Sequence, residues 1–218
     1  MVEYAVSDLV KEVKVLLDRN QESAGLLAPS DSDTLSQAEL IESKIADAAR
    51  IILSDAPEDM VEGTSCTNAV TWTDSNGCYV GKMVLPADML RILSVKAEGW
   101  NRPAEIISES DDAYKYQNCK YGVRGNPERP IAAIVHTANG RSIELYTGKK
   151  QDATLAFIYV QVPSITAGQK ISLPSVLKDA ILYMAGYLTC ISLGDTDTAS
   201  GFLGVARKLA HIVEPTTS

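Results

Sequence analysis

Basic charge, aromatic rings and histidine are all scarce in this chain, and each shortage closes off a class of function. There are 20 Lys and Arg against 28 Asp and Glu, a formal charge of -8. An acidic chain gains nothing from counterion release on a phosphate backbone, so specific nucleic-acid binding is not expected. Net charge of this sign keeps a protein soluble, and it is also what the wall of a DNA conduit needs in order to repel DNA. Aromatic residues make up 6%, with nine Tyr but only two Phe and two Trp. They do not cluster beside basic residues, which excludes a stacking platform for single strands. The two histidines, His136 and His211, lie far apart in sequence, and the cysteines at 66, 78, 119 and 190 form no CxxC pair. No zinc site or other metal is expected. Cys66 and Cys78 flank one turn-rich segment, so a disulfide between them stands open beside the reduced thiols usual in a cytosolic protein.

Long apolar runs are absent as well. None approaches the ~20 residues of a membrane span, and MVEYAVSDLVKEV has neither the basic nor the apolar region of a signal peptide. A soluble, non-exported protein with no membrane partner is the expectation. Nor is there a GxSxG, HExxH, P-loop or GxGxxG motif. No catalytic residue and no cofactor are assigned, and the chain does not read as an enzyme. His136 sits in an apolar strand and His211 on a terminal helix, as structural or surface residues do. The acidic pairs Asp111-Asp112 and Asp195/Asp197 fall at a helix start and an interhelical turn, where capping explains them.

What is present is helical periodicity at both ends and a β-type block between. With 218 residues and 45% hydrophobic content, a real core is possible. Apolar residues at helical spacing run from Ser7 to Arg19 and from Ser36 to Leu53, the second opened by Ser36 and Glu39 in capping-box spacing. They return from Ser175 to Leu193 and from Thr196 to Val213, with Leu193-Gly194-Asp195 as the turn between. Gly201 and Gly204 in the last helix are small enough to let another helix approach. The stretch Asn20 to Thr34 reads as a loop, and the sequence past Glu214 as a polar tail. From Ala69 to Val162 the pattern is of strands and turns, with Asn76-Gly77 and Asn139-Gly140 as hairpin signals. The fold class expected is α+β: a small antiparallel-type bundle of the N- and C-terminal helices (1–60 and 172–218) carrying a central β-rich insertion (61–171).

Two features are candidates for contact with a partner. One is the basic, Pro-bracketed excursion with Lys120, Arg124, Asn126 and Arg129, which reads either as a solvated loop or as a protruding arm. The other is Trp100 beside Arg102 and Pro103, either an exposed interface anchor or a core Trp at a strand end. A different class of function, a ligand- or carbohydrate-binding module, requires a pocket in the β block lined by Trp100, Tyr114, Tyr116 and Tyr121.

The run LPADMLRILSVKAEGWNRPAEIISESDDAYKYQNCKYGVRGNPERPIAAIV, then SIELYTGKK, then LPSVLKDAILYMAGYLTCISLGDTDTASGFLGVARKL, resembles the head-to-tail adaptor (connector) proteins of tailed phages and prophages. The likeness covers Ser36 to Val213. It implies a helical bundle with a β-rich insertion, and copies arranged in a ring, often a dodecamer, beneath the portal protein. Such a ring extends the DNA channel and docks the next neck or tail protein, while the isolated subunit is monomeric. The implied location is the virion, and the bacterial host cytoplasm during assembly. Another neck or tail structural protein is compatible with the same layout.

Overall fold

A computed structural model describes residues 1–17, 36–66, 70–74, 78–119, 124–138, 140–148 and 153–213. The expected Asn20–Thr34 loop, the Asn76-Gly77 turn, Lys120, Tyr121, Asn139 and the tail past Glu214 therefore lie outside the described residues. The elements run in chain order: β1 (Val2–Ala5), α1 (Val6–Leu16), α2 (Gln37–Asp55), β2 (Thr64–Cys66), β3 (Thr71–Asp74), β4 (Tyr79–Val84) and β5 (Met89–Ala97). Then come β6 (Glu105–Ser108), α3 (Asp112–Lys115), β7 (Ile131–Thr137), β8 (Gly140–Gly148), β9 (Leu155–Gln161), β10 (Lys170–Leu173), α4 (Lys178–Ser192) and α5 (Thr196–Leu209).

This corrects the expected fold class. The chain is not an α+β protein built on a small helical bundle with a central β-rich insertion but a mixed α/β protein, rich in sheet. Its described residues hold ten strands in three sheets and five helices. Two strands of the terminal segments escaped the sequence reading, because four-residue strands carry too few positions to show alternation. They are β1 and β10, which pair antiparallel with Val2 opposite Leu173.

The chain divides into two compact units, Met1–Glu62 with Val162–Ser218, and Gly63–Gln161. In the first, α2 packs on α4, and α1 touches both. Val6, Leu9, Val10 and Val13 of α1 and Ile41, Ile45, Ala48, Ala49 and Ile52 of α2 repeat at three- and four-residue intervals, and all are buried. Ser36 caps α2 in a complete capping box: its hydroxyl accepts from the Glu39 amide and the Glu39 carboxylate accepts from the Ser36 amide. Helix α1 starts at Val6, after Ala5, with no side-chain cap. Asp195 caps α5, its side chain accepting from the Thr198 amide. The glycine that matters for helix contact is Gly186 of α4, where a Cβ would stand 2.7 Å from the Phe202 ring of α5. At Gly201 and Gly204 an added Cβ would meet nothing within 4 Å.

The second unit has a five-stranded sheet of order β3-β4-β8-β7-β6 and a three-stranded sheet of order β2-β9-β5. All pairs are antiparallel except β6 and β7, which run parallel. The sheets bury one shared core: Trp72, Met83, Ala132, Ile143 and Leu145 from the first meet Val95, Ala97, Phe157 and Tyr159 from the second. The opposite face of the five-stranded sheet carries a smaller apolar cluster of Ile107, Ala133, Val135 and Tyr146, partly covered by Ala113 and Tyr114 of α3.

Candidate functional site

The Pro-bracketed excursion leads into β7, and its described part is a tight turn held at its base by hydrogen bonds. The Asn126 and Arg129 amides each donate to the other's carbonyl, at 3.1 and 3.0 Å. The Asn126 side chain accepts from the Glu128 and Arg129 amides, the self-bonding that suits Asn to turns. Below this tip, the buried Gly125 amide donates to Gln117 Oε1 at 2.9 Å, and the Gly125 carbonyl accepts from Thr147 Oγ1 at 2.9 Å. A Cβ on Gly125 would stand 2.9 Å from the Tyr146 carbonyl oxygen, so glycine is what fits. Trp100 Nε1 donates to the Thr147 carbonyl, and the Asn101 amide to the Pro127 carbonyl.

The predicted residues thus separate. Arg102, Asn126 and Arg129 are exposed, near or on the tip. Trp100 is 3% exposed: of its two readings the structure gives the core one, and its ring supports the arm from beneath. Arg124 is half-buried, with its guanidinium 5.2 Å from the centre of the Tyr146 ring. Lys120 lies outside the described residues. Of the four residues proposed to line a β-block pocket, Trp100 is in the core and Tyr121 is not described. Tyr116 is 51% exposed, and Tyr114 is bound to a carboxylate.

That carboxylate, Glu144, centres a cluster that no sequence motif marks. It stands on β8 in the smaller apolar face, accepting from the Tyr146 hydroxyl at 2.8 Å, the Tyr114 hydroxyl at 3.1 Å and Lys82 Nζ at 3.2 Å. Burial pushes the Glu144 carboxyl up, but the hydrogen bonds from Tyr146, Lys82 and Tyr114 outweigh it and hold the group below the usual carboxylate range. Burial and the same carboxylate push both phenols up. With three donors on it, Glu144 organises the sheet surface under Arg124 and the arm. The sequence signal was its place in SIELYTG, where Ser142, Glu144 and Tyr146 alternate with Ile143 and Leu145.

His136 Nδ1 lies 3.1 Å from Glu109 Oε1, and the His136 amide donates to the other oxygen. These bonds hold Glu109 below the usual carboxylate range. Asp111 caps α3 as expected. None of the four cysteines is in a disulfide, so Cys66 and Cys78 do not pair. Among the described residues no three His, Cys, Asp or Glu side chains gather as metal ligands would. No described helix is long and apolar enough to cross a membrane. In the helical unit, an open cleft of about 370 Å³ is lined by Glu12, Val15 and Leu16 of α1 and Asp179, Leu182 and Tyr183 of α4. Lys178 reaches Glu12 at 2.7 Å beside it.

No protein-family model matches the chain. No curated protein matches it either.

Proposed function

We propose that this chain is a virion structural protein, the head-to-tail adaptor of a tailed phage or prophage. In this reading it binds the portal protein and assembles with copies of itself into a ring, in the dodecameric form common to such adaptors. The ring extends the DNA channel and docks the neck or tail, first in the host cytoplasm and then in the virion. The observation that carries the reading is the arm. Its tip presents Glu128 and Arg129 to solvent, while its base is tied by Gln117, Thr147 and Trp100. A contact element held rigid before binding loses little conformational freedom when a partner meets it. Supporting it are the resemblance over Ser36 to Val213 and the formal charge of -8, which suits a surface that DNA passes without sticking.

The test is mass in solution, with negative-stain imaging, of the chain mixed with the portal protein encoded in the same genome. The expected result is a ring seated on the portal, weakened by Arg102→Glu together with Arg129→Glu while the fold is unchanged by circular dichroism. Absence of association across a range of salt concentrations would sink the adaptor reading.

A further inference from the structure

The cleft formed by α1 and α4 joins an apolar lining to a carboxylate that the described fold leaves unpaired. Leu182 of α4 is buried in it, Leu16 and Tyr183 are half-buried, and Val15 stands 60% exposed, an aliphatic side chain left in water at the rim. Two acids share the lining, Glu12 and Asp179. Glu12 is neutralised. Lys178 Nζ donates to it at 2.7 Å and lies 5.4 Å from the centre of the Tyr4 ring, so this ammonium is held from two sides. Asp179 acts on the same ammonium only through space. It makes no hydrogen bond or ion pair among the described residues. Val15 and Leu16 end α1, so the negative end of that helix's dipole adds to the Asp179 charge.

A volume of about 370 Å³ lies in the ~300–1,000 Å³ range of sites that enclose a bound group. The cleft is apolar, with one uncompensated negative charge. We propose that it docks a segment of a partner protein that presents an arginine or lysine beside apolar residues. The aliphatic stem of that side chain covers Val15, Leu182 and Tyr183, and its cationic head reaches the Asp179 carboxylate, as long basic side chains do when they bury the stem and keep the head polar. A neutral or acidic apolar segment is rejected, because it strips water from Asp179 and returns no donor. A second copy of this chain, itself carrying -8, is disfavoured by repulsion. The inference stands on the cleft alone and needs neither the portal nor the ring.

The probes are two acetylated, amidated peptides of one leucine-rich helical pattern, one with arginine at its centre and the other with glutamate. Each is titrated into the full chain and followed by methyl NMR. The arginine peptide is expected to shift the signals of Val15, Leu16 and Leu182 to saturation, and the glutamate peptide to leave them in place. Asp179→Asn weakens the arginine peptide about fivefold, the upper range for an exposed ion pair. Asp197→Asn, the same change in the first turn of α5, has no effect. Val15→Arg abolishes binding by placing a cation of the chain's own in the cleft, and because Arg is the better helix former it leaves α1 intact. The proposal is overturned if both peptides bind alike, if the shifts fall elsewhere, or if the two asparagine variants behave the same. Self-association of the chain alone that Val15→Arg removes also overturns it, and assigns the cleft to a second copy.

Discussion

Glu144 shows how one side chain can set the character of a surface. A carboxylate on an apolar sheet face is costly unless donors meet it, and here two phenols and a lysine do. Glu144→Gln keeps the shape but loses the charge, and should cost about 1 kcal/mol of stability at neutral pH, the net worth of a hydrogen bond. The pH dependence follows from its lowered folded-state pKa. Stability from such a group is fully present above the unfolded value of about 4.3 and is lost as pH falls through the folded one. Urea unfolding of both proteins should therefore show a gap at pH 7 that closes as the solution is acidified below the ordinary Glu range. A gap that stays constant with pH contradicts the assignment.

Among the elements, α2 is the clearest case of local sequence deciding local structure. Its capping box satisfies two backbone donors that the first turn leaves open, and the segment before it is polar. Ser36→Ala should lower stability by about 1 kcal/mol, measured by chemical unfolding followed at a helix signal, with no change in the sheet signal of the native protein. The hairpin of α4 and α5 follows a different logic. It closes because Gly186 admits the Phe202 ring, which also packs on Tyr183 with centroids 5.6 Å apart. At Gly201 and Gly204 an added Cβ would meet nothing within 4 Å, so within the chain it is Gly186 that makes room for the contact between α4 and α5.

For the whole chain, the consequence of two compact units is that each has its own core. In the unit Gly63–Gln161 the two sheets share one, with Ile143, Leu145 and Phe157 almost wholly buried in it. Leu145→Ala leaves a cavity there and should cost about 2–5 kcal/mol. Hydrogen exchange should then quicken in β4, β8, β5 and β9 together; loss of protection confined to one sheet would show that the core is not shared. Trp100 belongs to this picture too. Its indole anchors the Thr147 carbonyl, and Thr147 in turn holds the arm.

Periodicity and turn chemistry were enough to locate most elements. The four long helices, the Ser36 box, the β3–β4 and β7–β8 antiparallel pairs and the basic excursion are each written in short stretches of chain. Such signals state which side of an element is apolar, but they do not name what it meets. Folding alone brought β1 against β10, set β6 parallel to β7, gave Glu144 its three donors and chose the core reading of Trp100 over the exposed one. Each of these depends on residues distant in sequence meeting in space, where burial and hydrogen-bond satisfaction, not local preference, select the partner.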